Sequence, residues 1–80
     1  MNPRVALVTP ETDYRLRLRF TNGEVRLFDV KPYLGKGIFK ELQDVSLFNT
    51  ARPDGLSVEW ANEAAICPDT LYTDSVMAEA

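Results

Sequence analysis

The chain of 80 residues contains no histidine and only one cysteine, Cys67. Without histidine, no Ser-His or Cys-His pair can form within the chain, which excludes the common ways of activating a nucleophile. With one cysteine, no internal disulfide can form, and a reducing compartment is favoured. Cys67 precedes Pro68 in a short apolar segment, which predicts a buried side chain rather than a nucleophile. We therefore expect that the protein is not an enzyme.

The sequence also lacks the motifs that hold metals, phosphates and membrane spans. The acidic residues are thinly spread, no Asp-x-Asp-x-Asp-Gly loop occurs, and Gly35-Lys36-Gly37 is a loop rather than a phosphate-binding motif. No apolar run approaches the roughly 20 residues of a membrane span, and residues 1–4 lead into no signal-peptide core. We expect a cytoplasmic protein with no cofactor, no metal and no membrane partner.

Charge is distributed unevenly along the chain, whose formal net charge is −3. Residues 1–40 carry eight basic and four acidic side chains, whereas residues 41–80 carry one basic and eight acidic side chains. The two halves can neutralise each other in the fold. The overall acidity argues against a dedicated nucleic-acid-binding protein, because binding phosphates requires surplus cations.

A β-hairpin over residues 14–30 is the strongest structural signal. Two runs that alternate polar and apolar residues flank Asn22-Gly23, a sequence typical of a two-residue type I′ turn. Counting outward from that turn sets the register and assigns each side chain to a face. The predicted core face carries Tyr14, Leu16, Leu18, Phe20, Val25 and Leu27. The opposite face carries the candidate binding residues Arg15, Arg17, Arg19, Arg26 and Phe28.

The sequence predicts an α+β fold: a three-stranded antiparallel meander, two short helices, a further strand pair and a short C-terminal helical turn. A strand over residues 5–9, ended by Pro10, completes the meander with Val5 and Leu7 on one face. The next segment carries the apolar stripe of a short helix, formed by Ile38, Phe39 and Leu42. Asp44 is placed to cap the second helix, because its carboxylate can accept from free backbone N–H groups.

The second half of the chain contains the remaining predicted elements. They are a Pro-Asp-Gly turn at 53–55, strands at 56–60 and 64–67, and a helical turn at 68–72. Leu56, Val58 and Trp60 share one side of the first of these strands, and we expect Trp60 in the core. We expect a single domain over residues 1–75 and a frayed tail over 76–80.

Four motifs occur in an order that resembles a known family. They are Phe-Thr-Asn-Gly-Glu-Val-Arg-Leu-Phe-Asp-Val-Lys-Pro-Tyr-Leu (20–34), Gly-Ile-Phe-Lys-Glu-Leu (37–42), Val-Glu-Trp (58–60) and Cys-Pro-Asp-Thr-Leu-Tyr (67–72). Together they resemble DUF2442, a family of short bacterial proteins of unknown function. The resemblance implies the same α+β fold and, for some relatives, a toxin-like neighbour as partner, but it transfers no catalytic residue. The family's usual Trp-Pro-Asn-Gly turn is replaced here by Trp-Ala-Asn-Glu (60–63).

Three functional hypotheses follow from the predicted arginine face. The first is a non-catalytic interaction module that binds a partner protein, a toxin-like neighbour or a regulator, since mixtures of arginine and aromatic residues are enriched at interfaces. The second is an accessory nucleic-acid-binding or regulatory protein that uses the same face. The third is a homodimer that covers the face or a sheet edge. The structural alternative is a solvated sheet face without a partner.

Overall fold

The computed structural model describes residues 3–54 and 57–78, which form an α+β fold with two antiparallel sheets. The strands are β1 (Val5–Glu11), β2 (Arg15–Phe20), β3 (Val25–Asp29), β4 (Arg52–Asp54), β5 (Ser57–Glu59), β6 (Ala65–Ile66) and β7 (Val76–Met77). The helices are the α-helices α1 (Val45–Phe48) and α2 (Pro68–Thr73), and 3-10 segments at Thr12–Tyr14, Lys31–Tyr33 and Gly37–Gln43. This confirms the predicted fold class. Gly55 of the predicted turn, Leu56 of the predicted strand and residues 79–80 of the predicted tail lie outside the described residues.

The larger sheet has the strand order β1-β2-β3-β7. Its first three strands are the predicted meander, and β7 pairs with β3 as a fourth strand. The predicted frayed tail is therefore wrong at Val76 and Met77, which lie opposite Leu27 and Arg26. Two residues are too few to show the alternation by which a strand is recognised in a sequence.

The hairpin lies where the sequence predicts it, but its register is shifted by one residue. The N–H of Phe20 donates to the carbonyl of Glu24 at 2.9 Å, so three residues, Thr21-Asn22-Gly23, form the loop. Gly23 has φ of 89°, as expected for the left-handed residue that ends a three-residue hairpin loop. The side-chain oxygen of Asn22 accepts from the N–H of Glu24 at 3.0 Å and stabilises this longer loop.

The shifted register exchanges the two faces of β3, because side chains alternate along a strand. Phe28 is only 1% exposed, and Val30 is also buried. Val25 and Leu27, which were predicted in the core, are half-buried on the opposite face. The prediction for β2 is confirmed, since its three apolar side chains are buried: Leu16, Leu18 and Phe20.

Strand β1 departs from the prediction in two ways. It continues through Pro10 to Glu11. Proline is tolerated there because β1 is an edge strand, with a neighbouring strand on one side only, so the missing N–H need not break a ladder hydrogen bond. The register also shifts between Val5 and Leu7, where a bulge resets the alternation. Val5 therefore faces the core, whereas Leu7 is 57% exposed on the other face.

The helical segments follow the sequence closely. Asp44 caps α1 as predicted, with its Oδ1 accepting from the N–H of Ser46 at 2.9 Å. Leu42 is buried and Phe39 packs against the core, but Ile38 is 44% exposed. This segment is a 3-10 helix with three residues per turn, so positions three apart share a side and Ile38 points elsewhere. None of the described helices is long and apolar enough to cross a membrane.

The smaller sheet has the order β4-β5-β6. It contains the predicted strand pair, and β4 is a further strand in a segment that the sequence assigns to a turn. Between β5 and β6, the N–H of Trp60 donates to the carbonyl of Ala64 at 2.8 Å. Glu63, which replaces the glycine usual in the family, has φ of 73° and so occupies the left-handed region.

Replacing Glu63 with glycine is expected to stabilise the protein by about 0.5–1 kcal/mol. An L-residue with a side chain is strained at positive φ, whereas glycine is not. Urea unfolding of Glu63→Gly measures the gain, and Glu59→Gly in β5 is the control, since glycine within a strand is destabilising. Equal losses of stability in both variants would contradict the expected relief of strain.

The core lies between the inner face of the larger sheet, the helices and the smaller sheet. Trp60 is its largest fully buried residue, as the sequence predicts. The indole N–H of Trp60 donates to the carbonyl of Phe48 at 3.0 Å, and its ring lies 6.2 Å from that of Phe39. The ring of Phe48 also packs edge-on against Tyr14 at 5.3 Å. These contacts join Trp60, beside the smaller sheet, to three helical segments, and the same cluster includes the buried side chains of β2 and β3.

Candidate functional site

The outer face is the surface of the larger sheet that points away from the core. The strand register arranges its side chains in three rows that cross the sheet. The rows are Leu7, Arg19 and Val25, then Thr9, Arg17, Leu27 and Val76, and finally Glu11, Arg15 and Asp29. The first row lies toward the hairpin loop, and the third lies at the opposite end of the strands.

Two of the predicted binding residues do not lie on this face. Arg15, Arg17 and Arg19 are on the outer face as predicted, whereas Arg26 and Phe28 face the other side because of the shifted register. Phe28 packs in the core, with its ring 5.7 Å from a neighbouring tyrosine ring. The predicted binding surface is therefore corrected by removing Arg26 and Phe28.

Arg26 instead joins the hairpin to α2. Its Nε donates to Glu24 at 2.8 Å, and its guanidinium lies 4.2 Å from the centre of the Tyr72 ring. The hydroxyl of Tyr72 donates to the same Glu24 carboxylate at 3.2 Å. The hydrogen bond from Arg26 holds the pKa of the Glu24 carboxyl below its ordinary value. The side-chain contacts of Arg26 therefore make it a structural residue.

Aliphatic side chains lie beside the arginines on this face, although none of them was predicted there. Leu7 and Val76 are 57% and 65% exposed, and Val25 and Leu27 are half-buried. Beside the central row, a shallow cleft of about 340 Å³ is lined by Arg15, Leu27, Asp29 and Val76. Their place on this face could not be predicted from the sequence, because it depends on the bulge in β1, the loop of the hairpin and the pairing of β7.

The three arginines differ in how far nearby acids neutralise them. Arg17 Nε lies 2.6 Å from Oε2 of Glu11. Arg15 is 3.8 Å from Oδ2 of Asp13, an oxygen that already accepts from Lys31 at 2.7 Å. That hydrogen bond from Lys31 is the main cause of the lowered pKa of the Asp13 carboxyl. By contrast, Arg19 is exposed and has no ion-pair partner among the described residues.

Cys67 is exposed rather than buried, which corrects the sequence prediction. It directly precedes α2, and its sulfur lies 3.1 Å from the hydroxyl oxygen of Thr70. This hydrogen bond lowers the pKa of the Cys67 thiol. Across residues 3–54 and 57–78, no group of three or more histidine, cysteine, aspartate and glutamate side chains is arranged to hold a metal ion.

Comparison with known proteins agrees with the motifs in the sequence. A family model described as "Protein of unknown function (DUF2442)" matches residues 5–76, from the start of β1 into β7. No curated protein and no solved structure gives a significant match. The matched segment contains the whole hairpin and all the residues of the outer face described above. The chain therefore belongs to the DUF2442 family, whose function is not established.

Proposed function

We propose that the protein is a non-catalytic interaction module that binds an acidic partner protein through its outer face. The observation that carries the proposal is that the described helical segments pack on the inner side of the larger sheet. The ring of Tyr72 in α2 packs against Phe20 of β2, and that of Tyr33 in the segment Lys31–Tyr33 packs against Phe28 of β3. The outer face, with its arginines and exposed aliphatic side chains, is left without cover by these helices.

The composition of the outer face supports binding to a protein. The solvated face of an antiparallel sheet is ordinarily polar, whereas Leu7 and Val76 are more than half exposed here. Burying aliphatic side chains supplies affinity, and arginine is enriched at the centre of protein interfaces. The arginines also favour carboxylates on the partner through complementary charge. A toxin-like neighbour or a regulator that presents carboxylates fits this description, and a cytoplasmic location fits the single cysteine.

Nucleic acid is the alternative occupant of the outer face. The charges on the face weigh against it, because Glu11 neutralises Arg17 and Asp29 lies opposite Arg15. Binding to a phosphate backbone requires several uncompensated cations. The logarithm of the binding constant then falls linearly with the logarithm of the salt concentration. Binding that follows this law and is abolished by nuclease treatment would favour nucleic acid over a protein.

Reversing two charges of the outer face tests the proposal. We expect Arg15→Glu/Arg19→Glu to weaken co-purification of the cellular partner by about tenfold or more, because attraction to the partner's carboxylates becomes repulsion. Affinity of the tagged protein for the partner, once captured and purified, is measured by titration. Circular dichroism establishes that the variant is folded.

Lys36→Glu/Lys40→Glu is the matched control for net charge. Both lysines are exposed and belong to the segment around Gly37–Gln43, which packs on the inner side. We expect this control to change the affinity by less than about threefold. If the two double variants bind the partner equally well, the outer face is not the binding surface.

A further inference from the structure

The charge of the outer face is graded from one end of the strands to the other. At the end away from the loop, Arg15 lies opposite Glu11 on β1 and opposite Asp29 on β3. At the loop end, Arg19 lies opposite Leu7 and Val25, which are both aliphatic. A carboxylate from a partner would be repelled near Arg15 by the neighbouring acids, whereas near Arg19 it would meet no such repulsion.

A second cation lies next to this end of the sheet. Arg4 is exposed, and its backbone continues the β1–β2 ladder one step beyond Phe20. Its carbonyl accepts from the N–H of Thr21 at 2.8 Å, and its N–H donates to the hydroxyl oxygen of Thr21 at 3.2 Å. Arg4 therefore adds positive charge at the loop end, where Arg19 has no ion-pair partner among the described residues.

The aliphatic part of the face lies one row away. Leu27 and Val76 lie opposite each other and line the cleft of about 340 Å³. Asp29, on the same cleft, is already engaged, because one carboxylate oxygen accepts from the backbone N–H of Lys31 at 2.9 Å. Arg15 and Asp29 line the cleft beside these two aliphatic residues, so an apolar side chain of a partner can contact Leu27 and Val76 there.

The distance between these two subsites suits an extended peptide. Arg19 lies opposite Val25, and Leu27 is two positions further along β3, so Arg19 and Leu27 form a diagonal cross-strand pair. Such diagonal neighbours are roughly 7–8 Å apart. In an extended chain, residues two positions apart are separated by roughly 6.8 Å and point to the same side. An acidic residue and an aliphatic residue at that spacing can therefore reach both subsites.

We propose that the outer face recognises an extended segment of the partner in which an acidic residue lies two positions from an aliphatic one. The carboxylate binds the guanidinium of Arg19, and the aliphatic side chain occupies the cleft over Leu27 and Val76. Arg19 is the anchor for the carboxylate, whereas Arg15 and Arg17 attract a carboxylate only weakly because acids of the chain itself lie beside them. This inference rests on the proposed function and specifies the partner sequence that the same face selects.

Short fluorescent peptides rich in threonine, with Glu-Thr-Leu at the centre, are the probe. Fluorescence anisotropy measures their binding to the full chain. We expect Arg19→Glu to weaken binding by about tenfold. Lys36→Glu makes the same change of charge at an exposed residue outside the outer face, and we expect it to weaken binding by less than about threefold. A peptide with Lys-Thr-Leu at its centre is expected to bind Arg19→Glu about tenfold more tightly than it binds the original chain.

Two further peptides separate the subsites. Glutamine in place of glutamate removes the charge, and serine in place of leucine removes the aliphatic contact, so each is expected to lose about tenfold in affinity. The inference is overturned if the glutamine peptide binds as well as the glutamate peptide, if Lys36→Glu and Arg19→Glu have equal effects, or if no peptide binds.

Failure of this inference can be distinguished from failure of the proposed function. If the purified partner is lost from Arg15→Glu/Arg19→Glu but Arg19→Glu alone keeps it at full affinity, the outer face still binds the partner while Arg19 is not its anchor. If the double variant keeps the partner at full affinity, both proposals fail. Loss of the partner from Arg19→Glu alone, with Lys36→Glu close to the original chain, supports both.

Discussion

Replacing Phe28 with alanine is expected to lower the free energy of unfolding by about 3–5 kcal/mol, whereas Leu27→Ala costs less than about 1 kcal/mol. Phe28 is 1% exposed, lies opposite Leu16 and packs against the ring of Tyr33. Its removal leaves a cavity in the inner face of the sheet. Leu27 is half-buried on the outer face, where truncation leaves no enclosed cavity.

The two variants decide between the possible registers of the hairpin. In a hairpin with a two-residue loop, Leu27 would face the core and Phe28 the solvent, so their order of importance would be reversed. Urea unfolding followed by circular dichroism measures both free energies, and Phe28→Leu provides a milder substitution if Phe28→Ala does not fold. A larger loss in Leu27→Ala than in either Phe28 variant would contradict the three-residue loop.

Trp60→Ala is expected to cost about 3–5 kcal/mol, and Trp60→Phe about 1–3 kcal/mol. The indole is fully buried, and its N–H is a hydrogen-bond donor to the carbonyl of Phe48 in α1. Phenylalanine keeps most of the apolar volume but leaves that buried carbonyl without this donor. Alanine also removes the ring contacts with Phe39 and Phe48.

Thermal unfolding monitored by far-ultraviolet circular dichroism measures the effect of both substitutions without relying on indole fluorescence. Val45→Ala is the control, because Val45 belongs to α1 but is 57% exposed. We expect the control to change the midpoint little. Equal losses in Trp60→Phe and Trp60→Ala would show that the hydrogen bond dominates, whereas no loss in Trp60→Phe would contradict a stabilising role for it.

The sequence was sufficient for β2 but not for β3, and the reason lies in the pattern of apolar residues. In β2, arginine alternates with leucine and phenylalanine, so only one face can be buried. In β3 and just beyond it, both faces carry apolar residues, Val25 and Leu27 on one and Phe28 and Val30 on the other. Either pair could therefore face the core. The Asn-Gly signal is compatible with both loop lengths. This ambiguity also explains why the sequence placed Arg26 and Phe28 on the same face as the other arginines.

The sequence pattern also could not predict features that depend on contacts between residues far apart in the chain. The pairing of β7 with β3 joins Val76 to Leu27, which are far apart in the chain, and two residues carry no recognisable period. The charge asymmetry suggested neutralisation between the halves, yet the ion pairs described above each join two residues of the first half. In the second half, Arg52 pairs with Glu59 on the adjacent strand at 3.0 Å.

The strands at the margins of the two sheets have a consequence for how chains associate with one another. Pro10 lies in β1 and Pro53 in β4, and the described parts of β6 and β7 are two residues long. Prolines, bulges and very short strands at a margin hinder the addition of a strand from another chain, which is the usual first step of fibrillar aggregation. The fold thus discourages polymerisation through backbone hydrogen bonds.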